Sequence, residues 1–130
     1  MKLKIATKIE VKTSPGKGMG VFAAEKILEG EIIEECHLIT LPIGINEPSN
    51  LLTDYRFLWP QSGDHKEHVI PTGYGCIYNH SENNNAMWKD HPRNKSFQFI
   101  ATRDIEPGEE ICTYYGDETY WDERNYITKL

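Results

Sequence analysis

Between residues 16 and 20 the chain reads Gly16-Lys17-Gly18-Met19-Gly20, which offers backbone N–H groups with no side chain to block a ligand. The run leads into Val21-Phe22-Ala23, a strand rather than a helix start, so it is not a dinucleotide-binding fingerprint. No Gly-Lys-Ser or Gly-Lys-Thr follows to make a P-loop, and by itself such a run is a turn. Taken alone, Asn79-His80 is a turn with a solvated histidine, and Tyr115 is an aromatic at the core or rim of a strand end. Cys36, His37, His65, His68, Cys76, His80, His91 and Cys112 invite a zinc reading. No pair among them has a structural-zinc spacing, and His65-x2-His68 comes closest, so no metal site is expected. Asp104, Glu106, Glu109, Glu110, Asp117, Glu118, Asp122 and Glu123 read as a solvated acidic face that can also steer a lysine-rich peptide.

The elements that must position these residues belong to a chain of 130 amino acids, room for one domain with a real core. Its net charge of −6 argues against direct binding to the phosphate backbone of nucleic acid and suits a basic partner. No stretch approaches the roughly 20 apolar residues of a membrane span, so no membrane partner is expected. Three cysteines far apart in sequence make no disulfide framework, and Met1 to Lys12 lacks a signal-peptide core. The expected compartment is therefore reducing: the cytoplasm, or a host nucleus if the protein is viral or a secreted effector.

Along the chain, residues 3–12 alternate and break at Ser14-Pro15-Gly16, Val21 to Ala24 is a short strand, and residues 31–39 are β-rich until Pro42. Between 42 and 75 the regularity fades. Within that insert Ser49 can cap a short helix carrying Leu51, Leu52, Tyr55 and Leu58 before Pro60 stops it. Asn79 to Asn85 is polar enough to be loop, Ser96 to Ala101 alternates as a strand, and Glu110 to Tyr115 returns as a strand after the Pro107-Gly108 turn. The fold class that follows is mostly β, built from short strands.

Four segments occur in a fixed order: Gly18-Met19-Gly20-Val21-Phe22-Ala23, Asp54-Tyr55-Arg56-Phe57, Tyr78-Asn79-His80-Ser81 with Asn85-Ala86, and Pro107-Gly108-Glu109-Glu110-Ile111 ending in Tyr115-Gly116-Asp117. In this the chain resembles the SET-domain family of protein lysine methyltransferases, over about residues 10–122, and in brevity the small stand-alone viral and bacterial members. The resemblance implies a single SET domain over 1–130, a β-clip-like fold of small sheets with a C-terminal pseudoknot and one or two short helices. The variable insert would be 42–75 and the closing segment 116–130. It implies S-adenosylmethionine as cofactor, with S-adenosylhomocysteine as product.

Residue by residue, the resemblance gives Lys17, Gly18, Met19 and Gly20 to the methionine part of the cofactor. It gives Asn79 and His80 to the cofactor pocket, and Tyr115 to the position next to the reacting nitrogen. Tyr55 and Phe57 match aromatic walls of a lysine channel, and Tyr78 is added as a further wall. With no cysteine after Tyr115 to build the zinc-binding segment of many members, closure over the cofactor falls to residues 118–122, with Trp121 against the adenine. Where the family often has Pro before Asn85, this chain has Asn84, which loosens the loop.

The implied chemistry is an in-line displacement, in which alignment is the main catalytic resource. At pH 7 only about one lysine in a few thousand is neutral, a handicap of roughly 4–5 kcal/mol. An aromatic tunnel and a nearby sulfonium both disfavour the ammonium form. Tyr115 is too weak an acid and base to carry the proton and acts as a positioner. The implied partner is a lysine-bearing basic protein, histone-like or ribosomal, and a homodimer is possible by analogy with the minimal relatives. The rival readings are a module that keeps the groove without turnover and an interaction protein that binds neither cofactor nor peptide.

Overall fold

Ile9–Ser14 (β1) and Gly18–Ala23 (β2) form an antiparallel hairpin, in register from Ile9↔Ala23 to Ser14↔Gly18. Gly16 and Gly18 stand at its tip with φ of 76° and 77°, a left-handed backbone that costs little only for glycine. The glycine-rich run of the sequence is thus a hairpin turn and the opening of a strand. In the computed structural model the described residues are 3–45 and 55–115.

Two sheets make up the fold. Ile32–Thr40 (β3), Phe57–Trp59 (β4), Glu67–Pro71 (β5), Ala86–Asp90 (β7) and Ser96–Ala101 (β8) form an antiparallel sheet in the order β4-β5-β3-β8-β7. The second sheet has the order β1-β2-β9-β6, where Asn79–His80 is β6 and Glu110–Thr113 is β9. Here β9 runs antiparallel to β2 and parallel to β6, with Asn79 opposite Cys112 and His80 opposite Thr113. The last described strand is therefore held between the glycine-rich strand and the Asn-His pair.

The core explains why β8 alternates in sequence yet is buried on both sides. Phe97 and Phe99 are fully buried, together with Val21, Ile27, Val69, Ile105 and Ile111, while Ser96 and Gln98 are also covered. A large apolar side chain taken from water contributes about 1.5–3 kcal/mol. Ile27 and Ile105 exchange both backbone hydrogen bonds, at 2.9 and 2.8 Å, and tie the turns after β2 and β8 together.

Two sequence expectations need correction, and one strand was not foreseen. The helix proposed from Ser49 to Leu58 lies partly outside the described residues, but Phe57 and Leu58 are in strand β4. Pairing with β5 and packing of the Phe57 ring on Trp88 (5.0 Å, edge-on) and Phe97 (5.7 Å) override its helical spacing. Among the described residues there is no helix. Asn79-His80, read as loop, is a two-residue strand, because a parallel partner from a distant segment satisfies its backbone. Ala86–Asp90 is an edge strand whose alternation is too short and polar to signal itself.

Candidate active site

The Glu110 carboxylate, at the start of β9, organises one side of the site. It accepts the Ser14 hydroxyl at 2.8 Å on one oxygen and the Asn79 side-chain amide at 2.8 Å on the other. The same amide also donates to the Met19 carbonyl at 3.0 Å, so Asn79 bridges β9 and β2. All of this happens over Gly20, where a Cβ would lie 2.4 Å from the Glu110 Oε2, 2.9 Å from the Asn79 Nδ2 and 3.1 Å from the Ser14 Cβ. Gly20 is thus required by close approach and not by backbone conformation. Gly18 beside it is exposed, with open space where a side chain would be. From the hairpin tip Lys17 reaches across to donate its ammonium to the His80 carbonyl at 2.9 Å. The structure therefore brings Lys17, Gly18, Met19, Gly20, Asn79 and His80 to one place.

Asn85 clasps β9 from the loop after β6. Its side-chain amide donates to the Glu110 carbonyl at 2.9 Å and its side-chain oxygen accepts the Cys112 N–H at 2.9 Å. Its own backbone N–H donates to the Cys112 carbonyl at 3.2 Å. The side chain is 98% buried and completes the ladder of β9 where no strand continues. Asn85→Ala leaves two backbone groups unsatisfied and is expected to cost about 2–4 kcal/mol, at roughly 1–3 kcal/mol for each group. A urea melt checks this as a lower midpoint with an unchanged slope.

Tyr115 follows β9 directly. Its backbone N–H donates to the His80 Nδ1 at 2.9 Å, so the neutral imidazole carries its proton on Nε2. The two ring centroids lie 5.4 Å apart, and the Tyr114 ring also lies 5.1 Å from that of His80. The Tyr115 hydroxyl donates to the backbone carbonyl of Tyr78. With its proton committed there, the phenol oxygen presents lone pairs and can accept an N–H from a further group. Parallel pairing of β6 with β9 is what sets this geometry, since it carries Tyr78 and Tyr115 past each other.

Tyr78 departs from its sequence reading. Its ring is 2% exposed, stacked on Phe99 at 4.7 Å and 20°, with its hydroxyl on the Glu34 carboxylate at 2.6 Å. The ring is core, and the part of Tyr78 that meets Tyr115 is its carbonyl. Phe57 packs with Trp88 and Phe97 as described, whereas Tyr55 is 63% exposed and its carbonyl accepts the Cys76 thiol at 3.4 Å. Trp121 lies outside the described residues.

Burial pushes the thiols of Cys76 and Cys112 up to about 11 and that of Cys36 higher still. None offers a thiolate at neutral pH. Among the described residues no group of three or more His, Cys, Asp and Glu side chains could hold a metal ion. Sequence reasoning assigned no role to Ser14 or Glu34 and put Glu110 on a solvated acidic face, whereas its carboxylate is held by Ser14 and Asn79. Glu110 stood within a quoted motif, but nothing local in sequence shows Ser14 or Glu34 reaching a site made from distant segments.

The profile of the SET domain matches residues 18–116. Among curated proteins the chain is similar to "Histone-lysine N-methyltransferase, H3 lysine-37 specific" of Schizosaccharomyces pombe, 27% identical over 122 residues that cover 92% of this chain and 80% of that protein. It is also similar to N-lysine methyltransferase KMT5A-A of Danio rerio, 29% identical over 84% of this chain, which spans 35% of that longer protein. Among solved structures, the crystal structure of a candidate histone methyltransferase of Plasmodium falciparum superposes with a TM-score of 0.70 at 31% identity, over 89% of this chain and 99% of that one.

Proposed function

The chain belongs to the SET-domain family of protein lysine methyltransferases, and from that premise we propose that it transfers a methyl group from S-adenosylmethionine to the side-chain amine of a lysine in a basic protein tail, such as a histone's. The observation that carries this reading is the Tyr115 hydroxyl, held by the Tyr78 carbonyl beside the cluster of Lys17, Gly20, Asn79 and His80.

The residues present suit the cofactor. Gly18 is exposed with open space at its Cβ position, so the backbone there can be approached closely, and Gly20 leaves room for the Glu110, Asn79 and Ser14 side chains that frame the strand. Lys17, Gly18, Met19 and Gly20 would hold the methionine part, with Asn79 and His80 in the adenosine part of the pocket. Trp121 would close over the adenine. When bound, S-adenosylmethionine supplies an electrophilic methyl on a positively charged sulfur. The protein's own part is positional. A Tyr115 oxygen that accepts an amine N–H turns the nitrogen lone pair away from itself, whereas a hydroxyl donating to that lone pair would quench the nucleophile. The Tyr78 carbonyl prevents the second arrangement by engaging the hydroxyl proton. Exposed Tyr55 would meet a peptide, with Phe57 as packed support, and the net charge of −6 favours a basic tail.

The decisive test incubates the protein with methyl-labelled cofactor and a mixture of core histones and ribosomal proteins. Label is expected on a lysine of a basic protein, together with thermal stabilisation by S-adenosylhomocysteine. Stabilisation without label would instead establish a binding module, and neither would establish an interaction protein.

A further inference from the structure

A β-bulge turns a carboxylate into the core behind the site. Ile32 pairs with Ile100 and Glu34 with Phe99, so Ile33 is an extra residue in β3, and Ile33 and Glu34 are both buried. Bulges often re-aim a side chain beside a functional site. Here the Glu34 carboxylate accepts the Tyr78 hydroxyl at 2.6 Å and the Tyr74 N–H at 3.4 Å. The turn that wraps it depends on Gly73, at φ 68°, where a Cβ would lie 2.8 Å from the Glu34 Oε2. Burial holds the Glu34 carboxyl above the usual carboxylate range, with the Tyr78 and Tyr74 hydrogen bonds pulling it back.

A buried hydroxyl–carboxylate pair is a poor device for stability, since an apolar pair of similar volume often does as well or better. Its geometry has another consequence. The Tyr78 ring is fixed on its face by Phe99 and at its tip by Glu34, and the carbonyl of the same residue receives the Tyr115 hydroxyl. We infer that Glu34 is a positioning residue for methyl transfer, fixing through Tyr78 the carbonyl that directs the Tyr115 hydroxyl. The inference rests on the function proposed above for Tyr115.

Tyr78→Phe removes the link while keeping the ring and the backbone. It is expected to lower kcat roughly tenfold, with KM for the cofactor and stabilisation by S-adenosylhomocysteine changed by less than about twofold. Glu34→Gln keeps an acceptor for the hydroxyl and should lose less than Tyr78→Phe. Ile105→Val, a core change away from this chain of contacts, should lower the melting temperature with kcat unchanged. A wild-type kcat in Tyr78→Phe overturns the inference, as does a loss of kcat that simply follows melting temperature across all three variants. If Tyr115→Phe reduces activity while Tyr78→Phe does not, the role of Glu34 falls alone. If Tyr115→Phe is as active as the wild type, the reading of Tyr115 falls and takes this inference with it.

Discussion

Tyr115→Phe is expected to lower kcat by roughly a hundredfold, the scale of a misplaced reacting group, while KM for S-adenosylmethionine changes by no more than about threefold. The substitution keeps the ring against His80 and the backbone N–H on the His80 Nδ1, so the pocket's frame survives. What disappears is one oxygen whose proton is engaged by the Tyr78 carbonyl and which, in the function proposed above, would accept the amine N–H. Loss of that hydrogen bond also frees the carbonyl, at a cost to stability of about 1 kcal/mol, too little to unfold the protein. Single-turnover methylation of a peptide substrate reads the effect directly. A Tyr115→Phe enzyme with the wild-type single-turnover rate would remove the phenol from the mechanism.

Gly20→Ala should act on binding instead. The added Cβ collides with the Glu110 Oε2 and crowds the Asn79 Nδ2 and the Ser14 Cβ. Glu110 could swing away if it were unattached, but Ser14 and Asn79 hold its two oxygens. The bridge from Asn79 to the Met19 carbonyl must then shift as well, moving the strand edge assigned to the methionine part of the cofactor. Affinity for S-adenosylhomocysteine should fall at least about tenfold, or roughly 1.4 kcal/mol, by calorimetry. Gly18→Ala at the neighbouring position meets no atoms, and its cost is the left-handed backbone at the hairpin tip. Equal affinity in Gly20→Ala and the wild type would detach this strand from the cofactor site.

How much of this was legible follows from how local each signal is. The turn at Ser14-Pro15-Gly16, the strand at Ser96–Ala101 and the Pro107-Gly108 turn are written in neighbouring residues, and the structure has them. The mostly β class and the family follow from patterns and ordered motifs that survive without coordinates. The roles of Ser14, Asn85 and Glu110 depend on which distant strands lie side by side. A serine at a strand end or an asparagine in a polar loop carries no mark of its partner. Tyr78 was misread for the same reason. An aromatic next to a cofactor motif suggests a wall, but a buried acceptor from β3 draws its hydroxyl inward and leaves only its carbonyl at the site. Phe57 lost its helix to aromatic packing contributed by β7 and β8.

The placement of β9 between β2 and β6 has a kinetic corollary. Each half of the proposed reaction centre borrows a wall from residues 110–115, so on that reading a ribosome-bound chain that has not yet released them holds no competent enzyme, however well its earlier hairpins have formed. Pairings between residues so distant in the chain are closed against a large entropy cost and are among the slower steps of folding. Competence is thus gated by the release of residues 110–115, and a product cut before them would be inert rather than promiscuous.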